Sequence, residues 1–198
     1  LLWSQLFLSM SFSYLLCRSL GIGRIASVFG VISYSMSSLM IGVLEFGSEG
    51  HVLLWLPLMI VCIKKYIDTT RGVYAAGLAT SVALSIFAGQ LQYTAYMLAF
   101  AVAFILYYGR LERVKPRVYL VIGLSLLAGV GMTAIQLGPA VELFRLSARS
   151  GATNDVFLRG LIEPYKLARL LSPDFFGNPV SRDLTIGYIQ TSGYYGII

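Results

Sequence analysis

Charged residues in this chain collect in every second turn between long apolar runs, and that alternation limits the fold more than any other feature. The turns at 18–24, 64–71 and 109–117 hold Arg18, Arg24, Lys64, Lys65, Arg71, Arg110, Arg113, Lys115 and Arg117. Only Asp68 and Glu112 oppose them, a balance of +7, while the rest of the chain stands at −1. Such alternation marks a polytopic membrane protein, and the positive-inside rule places the +7 turns in the cytoplasm. Hydrophobic residues make up 57% of the chain and charged ones 12%, about half the charged share of an ordinary soluble domain.

The expected fold is therefore all-α, a polytopic transmembrane helix bundle. Six spans fit the apolar runs: about Leu1–Cys17, Ile25–Leu44, Val52–Ile63, Gly72–Ala88, Leu91–Tyr108 and Val118–Gly138. Several approach the ~20 apolar residues that cross a bilayer. The organisation reads as a six-span region over 1–140, an extracytoplasmic juxtamembrane segment over 141–185, and the start of a further span over 186–198. Within the second of these, Phe157–Leu171 alternates apolar with charged residues, as a helix lying on a membrane surface does. The opening Leu1-Leu2-Trp3 and the apolar end Tyr195-Gly196-Ile197-Ile198 read as an internal segment of a longer protein.

Several details agree with this topology. Tyr66, Tyr74, Tyr107, Tyr108 and Tyr119 fall at the basic interface, as an aromatic belt should. Pro57 lies inside the third run and should kink it. Ala75, Ala76, Gly77, Ala79, Gly123, Gly129 and Gly131 permit close helix packing. Cys17 and Cys62 show neither metal spacing nor a disulfide framework and read as small packing residues. A basic protein of this charge would suggest nucleic acid, but here the cations sit where topology wants them. The partners expected first are membrane lipids.

Chemistry is expected on the non-basic face. The loop 45–51 brings Glu45, Glu49 and His51 together, suited to a divalent cation, a proton transfer or sugar hydroxyls; a solvated hairpin accounts for the same spacing. Glu49 and His51 are the nearest thing to a metal pair. Gln90 and Gln92 precede Tyr93 and Tyr96 at the outer hairpin 89–92, where amides beside rings suit a sugar and equally suit a polar turn. Gln136 in the sixth run needs a partner, and a helix–helix hydrogen bond supplies one. Glu142, Arg145 and Arg149 follow on the outer side, where arginines suit a phosphate or a lipid headgroup. Phosphate-binding loops, nucleophile elbows and Cys/His metal clusters are missing from the sequence.

The order of short pieces resembles a known family. Tyr34-Ser35-Met36-Ser37, Glu45-x-Gly47-x-x-Gly50-His51 and Trp55-Leu56-Pro57-Leu58 are similar to segments of bacterial YfhO-like membrane proteins. So are Ala88-Gly89-Gln90-Leu91-Gln92-Tyr93, Gln136-Leu137-Gly138-Pro139, Ser147-x-Arg149-Ser150, Leu170-Leu171-Ser172-Pro173-x-Phe175-Phe176-Gly177 and Gly193-Tyr194-Tyr195-Gly196. The resemblance implies a GT-C-like fold in the bacterial cytoplasmic membrane. It also implies transfer of a sugar from a polyprenyl-phosphate donor to an extracytoplasmic surface glycan or teichoic acid. The catalytic Asp that this resemblance implies belongs to an outer loop upstream of Leu1. Where the family often has Gly-His-Pro, this chain has Gly89-Gln90-Leu91, and a neutral Gln replaces neither a base nor a metal ligand. A transporter or lipid flippase is the rival expectation.

Overall fold

The first helix is polar on the inside and apolar on the outside. In the computed structural model, which describes residues 2–42 and 49–146, α1 (Leu2–Ser19) buries Gln5, Ser9 and Ser13 and exposes Trp3, Phe7 and Leu15. Gln5, Ser9 and Ser13 are spaced by four and so share one face. That face meets α2 (Arg24–Ser35), where the hydroxyls of Ser9 and Ser35 lie 3.0 Å apart. A soluble amphipathic helix has the opposite polarity. The turn between α1 and α2 is closed by the Arg18 guanidinium, which donates to the Ile22 carbonyl at 2.6 Å.

The apolar core sits on α5 (Trp55–Thr69), which buries Met59, Ile60, Cys62, Ile63 and Tyr66. Around it stand α1, α6 (Gly72–Phe87), α7 (Leu91–Leu111) and α8 (Pro116–Met132). Small residues set the closest approach. Gly129 of α8 lies on α6, where a methyl group in its place would come within 2.6 Å of the Ala79 carbonyl oxygen and of Val82 Cβ. Cys62 Sγ packs against Gly77, and Cys17 Sγ against Gly30, so both thiols fill helix–helix contacts.

Every described element is helical. Among the described residues, two stretches are long and apolar enough to cross a membrane, Gly50–Thr69 and Leu91–Leu111. A third qualifies if α8 and α9 (Ala134–Leu146) count as one bent span. The other expected spans are shorter or less apolar helices. Trp3, Phe7, Ile25, Leu120, Leu127 and Ile135 all face outward. An apolar surface of this extent is costly in water and natural against lipid.

Three boundaries differ from the sequence reading. The third span does not stop at Ile63: Lys64 and Asp68 form an i,i+4 ion pair at 2.9 Å, and the Lys64 ammonium lies 5.3 Å from the Tyr108 ring centre. These contacts carry α5 through one more turn before it ends in left-handed Thr70. The second expected span breaks at Met36 and Ser37 between α2 and α3 (Ser38–Gly42). The sixth breaks at Thr133, whose hydroxyl and N–H both turn back to the Val130 carbonyl. Such back-bonding competes with the i→i−4 ladder, and α9 leaves at 69°.

The basic turns share one end of the bundle. Lys64 reaches Tyr108, Gly109 packs on Tyr119, and α1 runs parallel to α4–α5. Tyr66, Tyr74, Tyr107, Tyr108 and Tyr119 lie on helix ends there. The opposite end holds the start of α1, α4 (Glu49–Leu53) and the α6–α7 turn.

Candidate functional site

Pro57 shapes the local backbone at this opposite end. Its nitrogen carries no hydrogen, so the Leu53 carbonyl four residues earlier loses its helical partner. Tyr34 supplies the replacement, its hydroxyl donating to that carbonyl at 2.8 Å. The helical run Gly50–Thr69 is interrupted only at Leu54, which keeps right-handed helical dihedrals and divides it into α4 and α5. Pro57 then stands in the first turn of α5, where no N–H is needed. The expected kink is thus a local irregularity one turn before Pro57. His51, placed in a loop by sequence reading, belongs to α4.

Gly50 lets α4 meet α1. A side chain at Gly50 would overlap the Gln5 amide. Ser4, Gln5 and Leu8 of α1, His51, Leu54, Trp55, Leu84 of α6 and Ala88 together line a cavity of about 280 Å³. Phe12 steadies the Trp55 indole, with ring centres 5.6 Å apart. Gln5 is fully buried. Both polar atoms of its amide, and both ring nitrogens of His51, find no hydrogen-bond partner among the described residues. Buried polar atoms nearly always have partners, and an unmet one costs about 1–3 kcal/mol. Among the described residues, no carboxylate, lysine or arginine lines the cavity. The arrangement can accept and donate hydrogen bonds to a neutral group and offer it an aromatic wall.

The other expected residues are scattered. Gln90 precedes α7, and its carbonyl accepts from the Thr94 N–H at 3.2 Å. Gln92 is exposed and donates to the Tyr96 hydroxyl at 2.8 Å, with Tyr93 edge-on to Tyr96 at 6.4 Å. None of these lines the cavity, although they share its end of the bundle. Glu142 and Arg145 are exposed on α9. Gln136 donates to the Ile86 carbonyl at 3.2 Å, the helix–helix bond its position called for. Glu45, Arg149, the 157–171 surface helix and the span from 186 lie outside the described residues, as does the side chain of Glu49. Among the described residues no three His, Cys, Asp or Glu side chains gather as a metal site.

Gln5, Ser4 and Trp55 went unassigned in the sequence as parts of a site. The signal was present for Gln5: an amide within an apolar run, followed at spacings of four by Ser9 and Ser13. No family model, curated protein or solved structure matches the chain.

Proposed function

We propose that this chain is part of a membrane glycosyltransferase of the bacterial cytoplasmic membrane. It takes a sugar from a polyprenyl-phosphate donor and transfers it, on the extracytoplasmic side, to a surface glycan or teichoic-acid-type acceptor. The observation that carries the reading is the cavity of Gln5, His51 and Trp55, whose amide and imidazole find no partner among the described residues, at the end opposite the basic turns. The ordered resemblance to YfhO-like proteins and the outward-facing apolar surface support it.

In this reading the acceptor oxygen attacks the anomeric carbon and the bond to the lipid phosphate oxygen breaks. An Asp upstream takes the acceptor proton. Arg145 and Arg149 meet the charge that develops on the departing phosphate. The reading assigns substrate contacts to Glu45, Glu49, Gln90, Gln92, Tyr93 and Glu142, and it admits a divalent cation at Glu49 and His51. Sugar release from a polyprenyl-phosphate donor by the full-length protein tests the proposal. Arg149→Ala and Glu49→Ala should slow release at least tenfold; unchanged rates in both would remove these assignments.

One observation favours a second reading, a transporter or lipid-linked glycan flippase. Gln5, Ser9, Ser13, Ser27 and Ser35 form a buried polar seam along α1 and α2. Movement of a labelled polyprenyl-linked sugar across proteoliposomes, with no transfer to acceptor, would select that alternative.

A further inference from the structure

We infer that the outer face of α7, at the basic end of the bundle, holds one anionic glycerophospholipid, with its phosphate on Arg110 and an acyl chain against Ala103 and Leu106. The site is independent of the proposed transferase and stands at the end away from Gln5 and His51. A groove marks the place. Ala103, Leu106, Tyr107, Arg110 and Leu111 line an open cleft of about 520 Å³ along the last turns of α7. Its floor is Ala103, a small exposed residue between the exposed rings of Phe100 and Tyr107. These three share one face at spacings of three and four. The helix is long and apolar enough to cross a membrane and buries little of its surface in the bundle. The cleft is therefore apolar along the span and charged at its rim, where Tyr107 adds an interfacial ring.

The cations at this end differ in what they already hold. Lys64 is taken by Asp68 at 2.9 Å and by the Tyr108 ring. Arg18 is taken by the Ile22 carbonyl. Arg110 is exposed, and among the described residues its guanidinium meets no carboxylate. A guanidinium binds a phosphate through two parallel N–H bonds. Arg113, Lys115 and Arg117 follow it, against Glu112 alone. That excess repels the ammonium of a zwitterionic headgroup and favours a net negative one. The backbone of the turn agrees. Arg113 ends α7 in the left-handed region at φ 50°, its N–H on the Arg110 carbonyl and the Val114 N–H on the Gly109 carbonyl. Glycine usually fills that position at lower cost, so the turn carries a cation where the backbone favours no side chain. A free phosphate would use the guanidinium and leave the apolar floor uncovered, whereas a phospholipid covers both.

Electron paramagnetic resonance of spin-labelled lipids measures those the protein immobilises. The full-length protein is placed in phosphatidylcholine nanodiscs with a trace of spin-labelled phosphatidylglycerol or spin-labelled phosphatidylcholine. It should favour phosphatidylglycerol by roughly fivefold, the effect of about one cation beside the surface. Arg110→Gln should remove most of that preference. Arg71→Gln removes the same charge outside the groove and should leave most of it. Ala103→Phe fills the floor without changing charge and should act as Arg110→Gln does. All three positions are exposed, and melting temperatures close to that of the parent check that the variants fold. The inference is overturned if the two lipids are held alike, if Arg71→Gln costs as much as Arg110→Gln, or if Ala103→Phe changes nothing. Displacement by inorganic phosphate beyond that by sodium chloride of equal ionic strength would reduce the groove to a bare anion site and overturn it too. So would a dimer that Ala103→Phe splits, which would give the groove to a second copy of the chain.

Discussion

The Tyr34 hydroxyl donates to the Leu53 carbonyl at 2.8 Å, and it takes the place that the nitrogen of Pro57 cannot fill. One side chain on α2 thereby satisfies a carbonyl at the junction of α4 and α5, two residues beyond His51. Tyr34→Phe should cost about 1 kcal/mol, the usual net worth of such a bond. In a Pro57→Ala background the restored N–H can serve Leu53, so the same change should cost much less. Unfolding midpoints of the four proteins in a double-mutant cycle measure the coupling. Equal costs in both backgrounds would separate Tyr34 from Pro57.

Gly50 is where α4 and α1 meet without a side chain between them. Gly50→Ala forces the Gln5 amide aside, and overpacking of this kind costs about 1–3 kcal/mol. The variant should melt at a lower temperature than the parent. Gly72→Ala is the control, because nothing lies within 4 Å of a methyl group there; its melting temperature should stay close to that of the parent.

Gly129 and Gly131 are two residues apart on α8, and their surroundings are opposite. A methyl group at Gly129 meets the Ala79 backbone and Val82, whereas one at Gly131 meets open space. Gly129→Ala should therefore lose about 1–3 kcal/mol as α8 is pushed off α6. Gly131→Ala should be neutral or gain up to ~1 kcal/mol from helix propensity. Thermal melts in nanodiscs check the pair.

The sequence made the hairpins legible because charge, turns and apolar runs all change at the same places. Arg18, Lys64 and Arg110 stand near the helix ends that the charge pattern assigns, and Gln136 finds the partner its depth requires. The thiols of Cys17 and Cys62 pack against glycines, in keeping with their reading as small packing residues. Helix breaks were harder to read. Thr133 ends α8 through its own hydroxyl, a local bond with no trace in hydropathy. The extra turn of α5 depends on the Lys64–Asp68 pair, where charges in sequence look like the start of a loop. His51 was visible as the one histidine of the chain. Its partner in the cavity was not, since Gln5 lies 46 positions away and only the packing of α1 on α4 joins them.

The side of the membrane on which Gln5 and His51 stand is the central claim, and cysteine labelling tests it directly. Cys17 and Cys62 are first replaced by Ala; then Gln92→Cys marks the cavity end and Glu112→Cys the basic end, both at exposed positions. A membrane-impermeant maleimide applied to intact cells should label Gln92→Cys and reach Glu112→Cys only after permeabilisation. Labelling of Glu112→Cys in intact cells, with Gln92→Cys protected, would put the cavity in the cytoplasm and contradict the account.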